Sequence, residues 1–261
     1  MGMTYVIISG GFDLSVGSVV ALSGCVAAWV MLVTNTLIGA IAGVAVGAAV
    51  GFLNGTVVTR LKVSPFIATL GTMVMIRGVA LLMTDGRPIV GEEGLPESFL
   101  VLGREKLFGV HYLIWVPLLL FVVFAWLLHA TAYGKRIFAT GGNREAAFLA
   151  GIEVNRVTTS AYTWCGALAG VAGVMLASRL QSGQPTAGEF YELLAIAAVV
   201  LGGASLHGGE GSLYKSMIGV FIMIVLSNSL NLLNVGSYWQ RVAIGLVIVA
   251  AAAADMFKSR K

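Results

Sequence analysis

Residues 36–59 read TLIGAIAGVAVGAAVGFLNGTVVT, an apolar run without a charged residue. At 1.5 Å per residue, a helix of this length crosses the roughly 30 Å hydrocarbon core of a bilayer. The chain of 261 residues is 58% hydrophobic and only 11% charged, whereas soluble domains carry about 25% charged residues. Further apolar runs occupy 14–34, 66–84, 111–130, 157–178, 190–206, 213–233 and 238–256. We therefore predict an all-α, polytopic membrane protein with about eight spans in a single transmembrane domain, residues 1–261.

Ahead of the first run, MGMTYVIISGG (1–11) predicts a partial helix, the last turns of a longer one. This stretch lacks the basic start and the small-residue cleavage site of a signal peptide. Five glycines in 36–59 recur every fourth residue: Gly39, Gly43, Gly47, Gly51 and Gly55. Such a stripe allows close packing of helix backbones, and the lining of a solute path is the alternative interpretation.

Lys and Arg residues predict the orientation of the spans. They cluster at Arg60 and Lys62, in the segment 135–156, and at Lys258, Arg260 and Lys261. The positive-inside rule places these three regions, including the C-terminus, in the cytoplasm. The connection 85–110, with Asp85, Glu92, Glu93 and Glu97, and the stretch 182–189 are then expected on the outer side.

The segment GGFDLSVGS (10–18) predicts a break between two helices. Gly10 and Gly11 interrupt the first helix, and Asp13 or Ser15 can accept hydrogen bonds from the free N–H groups that open the next. A structural cap is the favoured role, and contact with a solute is the alternative. VIISGGFDLSVGSVVALSG (6–24) shares its Gly-Gly and Gly-Ser pattern with VVLGGASLHGGEGSLYKSMIG (199–219), a weak internal repeat.

Four polar residues within or at the end of spans are candidates for a translocation path. Arg77 is a charge inside an apolar run, where such residues face a partner or a wet cavity or reach to the interface. Asn228, Asn231 and Asn234 are spaced by three residues, which places them on one helix face. Because an amide in hydrocarbon needs a partner, this face is predicted to point inward, towards a solute or a neighbouring helix.

The segment 135–156 contains a short predicted helix. Asn143 can cap it, the run from Asn143 to Ala150 forms about two turns, and Gly151 ends it. Ala146, Ala147 and Phe148 would present a small apolar surface to a groove on a partner. An amphipathic loop resting on the lipid surface is the alternative.

Motifs for catalysis are absent from the sequence. No G-x-x-x-x-G-K-[ST] motif occurs, the histidines His111, His129 and His207 stand at span ends, and Cys25 and Cys165 are solitary. We therefore predict that the chain is not an enzyme, has no catalytic residue, and binds no metal, cofactor or nucleic acid.

Six stretches, in order along the chain, resemble the ribose-type permeases of bacterial ATP-binding-cassette importers. They are GGFDLSVGS (10–18), PFIATLGTMVMIRG (65–78), GGNREAAFLAGI (141–152), QPTAG (184–188), AIAAVVLGGASLHGGEGS (195–212) and SLNLLNV (229–235). The resemblance implies a fold of about ten transmembrane helices, of which this chain lacks the first helix. One departure concerns Tyr191-Glu192-Leu193-Leu194, where the family often carries an acidic residue after Glu-Leu.

The resemblance also implies a function and a set of partners. The chain would form the path for ribose or a related monosaccharide in the bacterial inner membrane, and ATP would be hydrolysed on separate subunits. Partners would be two cytoplasmic ATP-binding subunits, a periplasmic sugar-binding protein that meets 85–110 and 181–190, and a second permease subunit. The segment 142–151 looks like the coupling helix, with Gly142, Asn143, Glu145, Ala146, Ala147 and Gly151. The alternative function is an ATP-independent secondary carrier or channel for a small polar solute.

Overall fold

The computed structural model describes residues 1–91 and 94–258, which form a helical bundle with one small hairpin. Glu92, Glu93, Arg260 and Lys261 lie outside the described residues. The elements are α1 (Gly2–Ile8), α2 (Val16–Val33), α3 (Thr36–Arg60), α4 (Pro65–Thr84), α5 (Glu97–Arg104), β1 (Lys106–Leu107), β2 (Val110–His111), α6 (Tyr112–Ala130), α7 (Ala132–Gly142), α8 (Arg144–Leu149), α9 (Val154–Leu180), α10 (Tyr191–Leu201), α11 (Leu213–Leu232) and α12 (Ser237–Lys258). We refer to the two ends of the bundle as the α8 end and the α5 end.

Six helices in the described part of the chain are long and apolar enough to cross a membrane: α2, α3, α4, α6, α9 and α11. This result confirms a polytopic helical membrane protein. The last predicted run, 238–256, lies on α12, whose apolar part is Ser237–Ala250. The chain also contains the short antiparallel pair β1–β2, which the all-α prediction did not include.

The run 190–206 does not form a full-length helical span. The predicted count of eight spans was therefore wrong for this segment. Helix α10 has only 11 residues, which corresponds to about 16 Å. Gly202 and Gly203 end it, and Gly203 has a φ of +79°, a conformation that glycine adopts without steric cost. The residues before α10, 182–190, are non-helical, and we name them the unwound segment.

The glycine stripe on α3 packs against α2 and α9. Gly43 lies beside Ser23 and Ala27 of α2, whereas Gly51 lies beside Tyr162 of α9. All five stripe glycines are buried. The prediction of close helix packing is therefore confirmed, and these glycines do not line an open path.

We expect Gly47→Ala to destabilise the bundle. An added methyl group would overlap the Gly166 carbonyl oxygen and lie 2.9 Å from the Gly170 Cα atom, so that α3 and α9 must separate. Overpacking of this kind costs about 1–3 kcal/mol. The matched control is Gly71→Ala on α4, where no atom lies within 4 Å. Thermal unfolding in detergent checks this result, and equal midpoints for the two variants would contradict it.

Candidate functional site

Helix α8 is a short exposed helix with defined ends. The Asn143 side chain caps it by accepting a hydrogen bond from the Ala146 N–H at 2.9 Å. At its other end, Gly151 has a φ of +81°, and its N–H donates to the Phe148 carbonyl at 3.0 Å. Phe148 is 69% exposed and Leu149 is 79% exposed. The helix therefore offers two large apolar side chains at the α8 end.

Ala147 does not belong to this exposed surface. Its side chain is only 4% exposed, because α8 lies against α7 and α9. The prediction that Ala147 presents itself to a partner was therefore wrong, although the adjacent Ala146 and Phe148 are exposed, as predicted. The other predicted coupling residues are exposed: Gly142, Asn143, Glu145, Ala146 and Gly151.

Three Gly-Gly pairs meet where α7 ends, immediately before α8 in the chain. The Gly209 N–H donates to the Ile8 carbonyl oxygen at 2.8 Å. A methyl group added to Gly208 would lie 2.9 Å from the Gly10 Cα atom, and one added to Gly141 would overlap the Ile8 carbonyl oxygen. We name this contact the glycine junction (Ile8, Gly10, Gly141, Gly208 and Gly209). It joins the end of α7 to the loops that follow α1 and α10.

Sequence reasoning did not assign the glycine junction, although its signal was present. The segments 6–24 and 199–219 form the weak internal repeat, and the structure brings their Gly-Gly pairs together. The third pair, Gly141–Gly142, immediately precedes the predicted short helix. A contact between three distant loops depends on tertiary packing, which periodicity along the chain does not report.

The helix break between α1 and α2 is stabilised by buried polar groups. Asp13 Oδ1 accepts hydrogen bonds from the Ser15 N–H at 2.9 Å and from the Ser15 hydroxyl at 2.6 Å. Asn54 Nδ2 of α3 donates to Ser15 Oγ at 2.8 Å. All three side chains are at most 1% exposed. This geometry supports the role of a structural cap for Asp13, and it adds Asn54, which sequence reasoning missed.

Arg77 contacts the unwound segment. Its Nη1 atom donates to the carbonyl oxygens of Pro185 and Ala187, at 2.7 and 2.8 Å. Non-helical backbone at membrane depth needs partners for its polar groups, and Arg77 supplies them for two carbonyls. The side chain therefore supports the unwound segment from α4, and it is partly exposed beside it.

The three asparagines face outward in the single chain. Asn228, Asn231 and Asn234 are all exposed, so the prediction of an inward face was wrong for the isolated subunit. Asn234 lies beyond the end of α11 with a φ of +54°, and thus does not continue the helix face. The amide of Asn231 is paired within the chain, since its Oδ1 accepts from Gln240 Nε2 at 2.9 Å. Arg77 and Asn231 have separate hydrogen-bond partners, and no hydrogen bond among the described residues joins Arg77 to an asparagine of this set.

Comparisons with known proteins place the chain in a family. The family model described as the branched-chain amino acid transport system permease component matches residues 1–252. The ribose import permease protein RbsC of Bacillus subtilis is 47% identical over 259 residues, which cover 99% of this chain and 80% of that protein. The protein of the same name from Escherichia coli is 44% identical over 257 residues, which cover 98% of this chain and 80% of that protein.

A third relative differs in its named sugar. The L-arabinose transport system permease protein AraH of Escherichia coli is 40% identical over 260 residues, which cover 99% of this chain and 78% of that protein. No solved structure matches the chain. The chain therefore belongs to this family of transport-system permease components. The described residues contain no group of three or more His, Cys, Asp or Glu side chains that could hold a metal ion.

Proposed function

We propose that this chain is the membrane-spanning subunit of an ATP-driven sugar importer of the bacterial inner membrane. It forms the translocation path for a pentose such as ribose or arabinose, the sugars named for its relatives. A separate binding protein delivers the sugar at the α5 end, and separate subunits hydrolyse ATP at the α8 end. The C-terminus lies on the cytoplasmic side, by the positive-inside rule.

The observation that supports this proposal is the connection between α8 and the two helix breaks. An exposed helix with apolar Phe148 and Leu149 suits a groove on a partner. The glycine junction lies just before α8 in the chain. There the backbones of Ile8, Gly141 and Gly209 contact one another without intervening side chains. A displacement of α8 therefore acts on the loops that end α1 and α10.

In the proposed mechanism, two ATP-binding subunits close on ATP and draw together the α8 helices of two permease subunits. The glycine junction passes this movement to α1 and α10, and the path opens towards the α5 end. The sugar enters from the binding protein, and ATP hydrolysis restores the opposite state. Specificity for the sugar lies largely with the binding protein, so the permease needs few polar contacts.

The test of this function compares two phenylalanines at opposite ends of the bundle. We expect Phe148→Glu to weaken binding of the co-expressed ATP-binding subunit by about 30-fold, the loss typical of an apolar anchor of about 2 kcal/mol. Phe108→Glu is the matched control, because Phe108 is 89% exposed in the loop between β1 and β2 at the α5 end. Pull-down of the ATP-binding subunit, in the absence of sugar and binding protein, compares the two variants, and ATP hydrolysis by the wild type in proteoliposomes, with and without ribose or arabinose, tests the importer.

The alternative is an ATP-independent carrier or channel for a small polar solute. If no ATP-binding subunit associates with the wild type, or if both variants behave alike, α8 is not a coupling helix and this alternative gains support. Ion-driven carriers bury acids or histidines in their spans. Among the described side chains, Asp13 and Glu192 are the buried acids, and Asp13 is paired with Ser15.

A further inference from the structure

The unwound segment lies deep along α2. Gly183 packs against Cys25 and Ala28, and Gly188 packs against Gly17, near the first residue of that helix. Gly17 lies about 24 Å from the other end of α2 at 1.5 Å per residue. The segment was expected as an outer connection, and it begins beside one, since the backbone of Gly183 pairs with that of Ile89 in the connection 85–110. Between its contacts with α2 it passes about 12–16 Å along that helix, or roughly half of a hydrocarbon core of about 30 Å, before α10 begins.

One side of this segment is exposed and polar. Thr186 and Glu189 are exposed, whereas Pro185, which precedes Thr186, and Gly188, which precedes Glu189, are buried. Glu189 lies close enough to Arg77 for an electrostatic interaction. A carboxylate at this depth cannot face lipid without a large cost, so it faces water or a polar partner. Glu192, the next acid, is only 8% exposed, and its carboxylate lies next to Gly17 of α2.

The end of the segment is held in an unfavourable backbone conformation. Phe190, which precedes α10, has a φ of +64°, a left-handed conformation that a bulky side chain rarely adopts. Its ring remains 47% exposed, with the Arg241 guanidinium of α12 at 5.3 Å from the ring centre. The surrounding contacts therefore maintain an aromatic ring next to the exposed carboxylate.

We infer that the exposed side of the unwound segment lines the water-filled path and that Thr186 and Glu189 bind the hydroxyl groups of the passing sugar. This inference rests on the proposed function, and it names the site within it. A carboxylate and a hydroxyl accept hydrogen bonds from sugar hydroxyls, and the Phe190 ring offers a face for the apolar side of the sugar. The site binds weakly, as a path requires, because two polar side chains provide its contacts.

An open groove lies at the α5 end, where the unwound segment begins. The groove has a volume of about 590 Å³, and its lining includes Ser182 and Gln184, the first residues of the unwound segment. Arg104 and Gln181 form its rim, joined by a hydrogen bond of 2.5 Å. A solute released at the α5 end thus meets the unwound segment first.

Cysteine labelling tests whether the segment faces water. Thr186→Cys and the control Val122→Cys are placed in the full transporter complex in proteoliposomes, where the native Cys25 and Cys165 are buried. Val122 is 59% exposed in the middle of α6, a lipid-facing position. We expect the charged reagent methanethiosulfonate ethylsulfonate to modify Thr186→Cys about tenfold faster, because a thiolate forms only in water. D-ribose or L-arabinose slows this reaction. Equal rates at the two positions would overturn the inference.

A second measurement tests the contact with sugar. We expect Glu189→Gln to lower the uptake of labelled ribose or arabinose about tenfold, the loss of a charged hydrogen bond, and Glu189→Asp to retain more uptake. Thr186→Val lowers uptake and Thr186→Ser preserves it, with the assembled complex recovered in equal amounts. Unchanged uptake in Glu189→Gln and Thr186→Val would refute the contact.

These results separate the inference from the proposed function. If the wild-type complex takes up neither sugar, the proposed substrate is wrong, while the labelling contrast still decides whether the segment faces water. If the wild type takes up sugar and Thr186→Cys stays unlabelled, the importer function stands and the location of the path is wrong.

Discussion

Gly141→Ala is expected to abolish sugar uptake and to lower the stability of the folded subunit by about 3 kcal/mol, the upper range for overpacking. A methyl group at this position would overlap the Ile8 carbonyl oxygen and approach the Gly209 amide nitrogen to 2.6 Å. Both neighbours are backbone atoms, so that no side chain can rotate away. The better helix propensity of alanine, about 1 kcal/mol, does not offset this overlap. Thermal unfolding in detergent and uptake in proteoliposomes measure the two effects.

The adjacent glycine provides the control for this substitution. A methyl group at Gly142 would meet only the Gly209 Cα atom, at an ordinary 3.9 Å. Gly142→Ala should therefore match the wild type in its unfolding midpoint, whereas Gly141→Ala unfolds about 5–10 °C lower. A Gly141→Ala subunit of normal stability and normal uptake would show that the glycine junction is looser than the structure indicates.

Arg77→Met should destabilise the unwound segment by about 2–4 kcal/mol. The substitution leaves the carbonyl groups of Pro185 and Ala187 without their donor, and an unpaired buried acceptor costs about 1–3 kcal/mol. The methionine side chain keeps a similar length, so that the loss is mainly that of the two hydrogen bonds. Hydrogen exchange of residues 182–190 and the unfolding midpoint provide the measurements, and both should change together.

Arg87→Met serves as the matched control for Arg77. Arg87 is exposed in the connection after α4, and its replacement should leave exchange within 182–190 unaltered. Arg77→Lys retains the charge and donors but loses the planar guanidinium, and an intermediate effect is expected. If Arg77→Met and Arg87→Met give the same exchange rates, Arg77 does not hold the unwound segment.

Much of the fold could be predicted from the sequence because bilayer thickness fixes the length of a span. The uncharged run 36–59 forms α3, which ends one residue later, at Arg60. Its glycine stripe forms a packing surface. The ends of α8 were also predictable, because an asparagine cap and a terminal glycine act within one helical turn. Signals of this kind are local, and they persist in the folded chain.

The remaining features depend on contacts between distant parts of the chain. The hydropathy of 190–206 could not show that Arg77, more than a hundred residues earlier, supports non-helical backbone before α10. The burial of Ala147 follows from how α8 lies against α7 and α9, because the adjacent Ala146 has the same side chain but is exposed. The outward direction of the asparagines likewise depends on how α11 packs in the folded chain.

The unwound segment changes the thickness of the barrier that a solute must cross. Along this crossing, regular helix is confined to the 11 residues of α10, about 16 Å, or roughly half of the hydrocarbon core. The other half presents polar backbone and the side chains of Thr186 and Glu189. If the sugar passes along this segment, as inferred above, a gate has to open over only this shorter distance, and a tilt of the short helix α10 is enough to open it.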